Sequence, residues 1–79
     1  MDVDLADVTL HIDEALSAED IARLEARLRE RDGVVSVHFN TEKAHPHLAV
    51  IEFVPDKVRP QELLSIVKYL GHHGELVGL

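Results

Sequence analysis

Along this chain the spacing of apolar side chains switches repeatedly between a two-residue and a 3.6-residue period. The order of those switches restricts the fold more than any other feature. From Asp7 to Asp13, Val8, Leu10 and Ile12 alternate with Thr9 and His11, the pattern of a strand with one buried face. From Ile21 the apolar positions fall at Leu24 and Leu28, one stripe of a helix. Val35, Val37 and Phe39 then alternate with Ser36 and His38, and Leu48 to Val54 forms a third, strongly apolar strand that belongs at the centre of a sheet. Leu63, Ile66, Val67 and Leu70 return to helical spacing, and Glu75 to Leu79 is long enough for a short closing strand.

The punctuation agrees with these periods. Ser17 and Asp20 have the spacing of a capping box, with a hydroxyl to accept from a first-turn amide and acids at the positive end of the helix dipole. Glu19–Arg23 and Glu25–Arg29 are acid-first pairs four apart. Arg27, Arg29 and Arg31 suit the negative end, and Gly33 stops the helix. This charge run reads as a solvated helix face. Asn40 to Pro46 is a polar connection, Pro55-Asp56 breaks the third strand, Pro60 suits a first helical position and Gly71 ends the second helix.

Strand, helix, strand, strand, helix, strand is the split βαβ pattern. With right-handed crossovers it predicts an α+β, ferredoxin-like βαββαβ sandwich: a four-stranded antiparallel sheet of order 4-1-3-2 with both helices on one face. Seventy-nine residues make one domain, spanning 1–79. A chain this short buries only about 60–65% of its unfolded surface and needs an efficient two-layer core, which a 46% hydrophobic content can supply.

The same topology sorts the chemistry-bearing residues. The first two strands run the same way, so the loop after strand one, the link between strands two and three, and the turn after the second helix emerge at one end. Those segments hold Asp13, Glu14 and Asp20; Glu42, His45 and His47; and His72 and His73. His11 and His38 lie near the same ends of their strands, so all six histidines gather in one half of the molecule. Imidazole with carboxylate suits Zn²⁺, Ni²⁺ or Cu²⁺, whose three or four ligands meet at roughly 2.0–2.2 Å. The candidate ligands are His72, His73, His45 and His47, with Asp20 and Glu14 beside them. His45-x-His47 can chelate in an extended segment, whereas adjacent histidines point apart in most backbones. Two other readings stand alongside: ordinary polar loop residues, and a surface whose charge changes as histidines titrate near neutrality.

From Val8 to Leu79 the chain resembles the heavy-metal-associated domain of copper chaperones and metal-pumping ATPases. Leu10 and Ile12 match its first strand, Leu24 and Leu28 its buried helix positions, and Gly33-Val34 with Val37 and Phe39 its G-V-x-x-V-x-V opening. Phe53 followed by Pro55-Asp56 is similar to the end of its third strand, and Gly71-His72 to the G-Y near the end of its second helix. In that family the first loop carries M-x-C-x-x-C, whose thiolates clamp Cu(I). Counting back from Gly33 puts those cysteines at Ser17 and Asp20, in a chain with no cysteine at all. The resemblance therefore implies the fold, and it does not carry Cu(I) transfer, which needs soft sulfur ligands. It also implies a role for His72, which stands where the family has tyrosine beside the metal loop and where some copper chaperones use histidine as an extra ligand.

Other functions are narrowed by charge and composition. A formal net charge of −7 repels a phosphate backbone, and two phenylalanines and one tyrosine leave little to stack on bases, which argues against nucleic acid. The central-strand positions that carry stacking aromatics in RNA-binding sheets are here Thr9, His11, Val50 and Glu52. Acylphosphatases share the element order but need an arginine in a phosphate-cradling first loop. The loop from Asp13 to Ser17 is acidic and has no glycine, so an enzyme is not expected. Apolar runs are too short for a membrane span, and the acidic start MDVDLAD is unlike a targeting segment, so the default expectation is the cytoplasm. Two functions remain: a metal-homeostasis-type domain using loop histidines, or a metal-free interaction or dimerisation module. The second would use the helix-free sheet face of Thr9, His11, Ser36, His38, Leu48, Val50 and Glu52, with Leu48 and Val50 as its apolar patch.

Overall fold

Residues 4–40 and 47–77 are described by the computed structural model, His47 through its backbone. Along them the periods resolve into β1 (Ala6–Ile12), α1 (Ala18–Glu30), β2 (Val34–Asn40), β3 (His47–Phe53), α2 (Pro60–Tyr69) and β4 (Gly74–Val77). Each boundary has a local cause. Ser17 caps α1 by accepting from the Asp20 amide at 3.1 Å, and the Asp20 carboxylate accepts from the Ser17 amide at 3.3 Å, a complete capping box. Arg31 closes the other end of α1 through its own amide on the Leu28 carbonyl. Pro60 opens α2 at its first turn, and Gly71 ends it in the left-handed region at φ 91°.

The strands form one sheet of order β2-β3-β1-β4, with all neighbours antiparallel. This is the expected 4-1-3-2 order, seen from the opposite edge. The alternating β1 and the strongly apolar β3 occupy the centre, where the apolar run places β3. β4 begins at Gly74, one residue earlier than its sequence suggests, while Gly78 and Leu79 lie outside the described residues.

Val8, Leu10 and Ile12 of β1, Val37 of β2, and Ala49, Ile51 and Phe53 of β3 pack in a single cluster with Leu24 and Leu28 of α1 and Leu63 and Val67 of α2. One cluster means that both helices cover the same face of the sheet. Val58, in the link between β3 and α2, is buried with them and plugs the end of the core near Gly33. Among the described residues nothing polar or charged is buried, so the core has no unpaired group to offset.

β2 departs from simple alternation. Val34 pairs with Phe53 but Ser36 pairs with Glu52, so Val35 is an inserted residue and the strand carries a bulge. Val35 was expected beside Val37 and Phe39; it is instead 54% exposed, and Val34 packs against the core in its place. Of the two acid-first pairs on α1, Glu25–Arg29 forms at 3.8 Å, while Arg23 reaches Asp20 at 3.7 Å. Among the described residues no helix is long and apolar enough to cross a membrane.

Candidate metal centre

The sheet register fixes one pole of the molecule. Ile12, the last residue of β1, lies opposite His47, the first of β3, and opposite Gly74, the first of β4; Asn40, the last of β2, lies opposite Leu48. The loop after β1, the start of β3 and the α2–β4 turn therefore surface together, as strand direction requires. The backbone joins two of them directly, because the Asp13 amide donates to the His73 carbonyl at 2.9 Å.

His72 is placed by the way α2 ends. With Gly71 in the left-handed region, the Gly71 amide donates to the Lys68 carbonyl at 2.9 Å and the His72 amide to the Val67 carbonyl at 3.2 Å. This is a Schellman closure, which satisfies the last carbonyls of the helix and turns the chain back toward β1. The His72 ring then meets the first loop: its Nδ1 is hydrogen-bonded to the Glu14 carboxylate, with the two side chains 15% and 34% exposed. Asp20 stands close enough to feel the same imidazole. Its carboxyl is held below its ordinary value, first by the Ser17 amide, then by the Ser17 hydroxyl, with smaller help from His72 and Arg23.

His73 takes the opposite course. Asp13, His73, Gly74 and Glu75 line a shallow cleft of about 210 Å³ at the end of β1 and β4. Beside it the His11 Nδ1 lies 3.2 Å from the Glu75 carboxylate. The six residues marked from the sequence are therefore divided. His72, Glu14 and Asp20 come together; His73 joins a different group; His47 contributes its backbone to the pole; His45 lies outside the described residues. His38 is exposed on the edge strand β2, opposite Val50 and two residues from the end of that strand at the loop pole. Among the described residues no three histidines or acids already converge as a metal site.

The Glu75 partner of His11 and the role of Asp13 were missed in the sequence. The signal for them is the strand order, which makes β4 the neighbour of β1; alternation alone does not set which residue faces which.

A thiolate clip for Cu(I) does not fit this pole. There is no cysteine, and the two residues at the corresponding positions, Ser17 and Asp20, spend their oxygens on the helix cap. His72 and Glu14 instead offer an imidazole with a carboxylate on one ring nitrogen, a donor set for borderline divalent ions.

No protein-family model matches the sequence, and no curated protein matches it. Solved structures do. Oxidized MerP from Ralstonia metallidurans CH34 superposes with a TM-score of 0.83 at 19% identity, over 95% of this chain and 100% of that one. The N-terminal domain of a potential copper-translocating P-type ATPase from Bacillus subtilis, in its Cu(I)-loaded state, gives 0.80 at 24% identity over 91% and 86%. The N-terminal domain of PacS from Synechocystis PCC6803 gives 0.76 at 22% identity over 92% and 98%. Likeness at these identities belongs to the backbone, and it agrees with the element order, the sheet order and the shared helical face. The chain has the fold of the heavy-metal-associated domains, built here without a cysteine.

Proposed function

We propose that this chain is a small metal-handling module, and not an enzyme, that takes up a borderline divalent ion (Zn²⁺, Ni²⁺ or Cu²⁺) at the pole where its loops meet. The observation that carries the reading is the His72 Nδ1 on the Glu14 carboxylate. Metal-ligating histidines commonly donate one ring N–H to a carboxylate, which fixes the tautomer and makes the other nitrogen a better donor. Glu14 thereby orients the ring and leaves Nε2 for the ion. Asp20 supplies a nearby negative charge. His45 and His47, from the segment that enters β3 at the same pole, are the proposed further ligands. The fold supports this use, since a copper-translocating ATPase domain in its Cu(I)-loaded state shares it. A net charge of −7 favours cations over anions. The cytoplasm is the proposed compartment.

The test is titration of the full chain with Zn²⁺, Ni²⁺ and Cu²⁺, followed through histidine side-chain resonances. His72 is expected to respond at stoichiometric metal, and His72→Ala to bind at least about tenfold more weakly. A His72 signal that stays in place, or a His72→Ala protein with parental affinity, overturns the proposal.

A second reading rests on the helix-free face. One row across the sheet runs Val77, Thr9, Val50, His38, with Val50 and Val77 each 40% exposed and Leu48 half-buried beside them. This patch suits docking of another protein or of a second copy without metal. Concentration-dependent sedimentation abolished by Val50→Asp supports it; a monomer at every concentration that captures no partner protein counts against it.

A further inference from the structure

We propose that the corner of the open face where β1 meets β4 is a separate site for a borderline divalent cation, formed by His11, Asp13, His73 and Glu75. This inference does not depend on the His72 site: it uses other residues, on the other side of the α2–β4 turn.

The register builds the corner. His11 and Glu75 are direct cross-strand partners, and the Asp13 amide on the His73 carbonyl carries the pairing one step further. Residues two apart on a strand share a face. His11 and Glu75 therefore share the helix-free face with Thr9 and Val77, and the cleft lined by Asp13, His73 and Glu75 adjoins them. Cross-strand partners such as His11 and Glu75 have Cα atoms about 5 Å apart, and the Asp13–His73 backbone contact continues the frame beyond them. From such a frame two imidazoles and two carboxylates can meet at roughly 2.0–2.2 Å around one ion, the tetrahedral donor number that Zn²⁺ favours.

One side of this frame is already in place. The His11 Nδ1 and the Glu75 Oε1 are 3.2 Å apart, with the histidine only 19% exposed and so held against the sheet. Asp13, His73 and Glu75 surround the cleft of about 210 Å³. Among the described residues these donors do not already converge as a metal site. Asp13 and His73 are both exposed, so neither is pinned by packing. The charge is appropriate as well. Two carboxylates match a divalent ion, and the neighbouring positions across the face (Leu48, Asn40, Thr9, Val50 and Val77) include no lysine or arginine to compete.

His72 contacts Glu14 while His73 lines the cleft with Asp13 and Glu75, so the two sites share no ligand and are separable experimentally. Zn²⁺ is added to the parent chain and to His72→Ala, His11→Ala, His73→Ala and Glu75→Gln, with histidine resonances as the readout and thermal melts to verify folding. His11 and His73 are expected to shift together at stoichiometric Zn²⁺, in His72→Ala as in the parent. His11→Ala, His73→Ala and Glu75→Gln should each weaken that step by about tenfold or more. Shifts confined to His72, or undiminished affinity in those three variants, overturn the corner site. If His11 and His73 respond while His72 does not, the corner site stands and the loop-pole proposal fails.

Discussion

At Gly33 the chain passes from α1 to β2 with φ 99°, and a Cβ added there would lie 2.7 Å from the Lys57 Cβ. Left-handed strain and a collision with a neighbouring segment coincide at this position. Gly33→Ala is expected to destabilise the fold by about 1–3 kcal/mol, measured as a lower urea midpoint. Gly71, at φ 91° but with open space where a Cβ would go, isolates the backbone contribution, and its alanine variant should lose about 1 kcal/mol. The cap on α1 makes a second prediction. Because the carboxyl of Asp20 is lowered in the folded state, its contribution is present above the unfolded value near 3.8 and is lost as pH falls through the lower folded value. Asp20→Asn should accordingly narrow its stability deficit against the parent in that acid window. Ser17→Ala should cost about 1 kcal/mol at neutral pH. The reciprocal Ser17–Asp20 cap was readable from spacing alone, because both partners sit within one turn. That His72 and His73 diverge was also expected of adjacent residues; the partners His73 meets were not, because they depend on how the Schellman turn leaves α2.

α1 shows how far periodicity reaches at the level of one element. Leu24 and Leu28 are fully buried, as their spacing requires, and their counterparts on α2 are Leu63 and Val67. Leu28→Ala should cost about 2–5 kcal/mol by chemical denaturation, a range set by how far the surrounding side chains relax into the space. β2 shows where periodicity stops. An inserted residue leaves the alternation intact on both sides of itself, so a run such as Val34-Val35 does not reveal which valine turns inward. The structure decides by packing Val34 and exposing Val35. Val35→Thr should therefore change stability by less than about 0.5 kcal/mol, while Val37→Thr, which places a hydroxyl where Val37 is fully buried, should cost more than 1 kcal/mol.

For the whole molecule, the ordering of elements specified the topology because each crossover has one favoured hand and each strand one apolar face. The candidate sites were only half legible. Strand direction brought the segments to one pole, but register and side-chain direction decided which groups met. The wholly apolar core of the described residues and the His72–Glu14 contact bear on metal dependence: among those residues no buried charge calls for an ion to neutralise it. Exhaustive treatment with a chelator should leave the melting temperature unchanged, whereas saturating divalent metal should raise it in proportion to the logarithm of its concentration over its Kd. The two margins of the sheet carry their own consequence. On one side the inserted Val35 interrupts the row of outward amides and carbonyls, and on the other β4 covers Gly74–Val77 among the described residues. Neither offers a straight, uninterrupted template on which a foreign strand can grow, so the molecule is guarded against fibrillar assembly, and partners must approach it broadside.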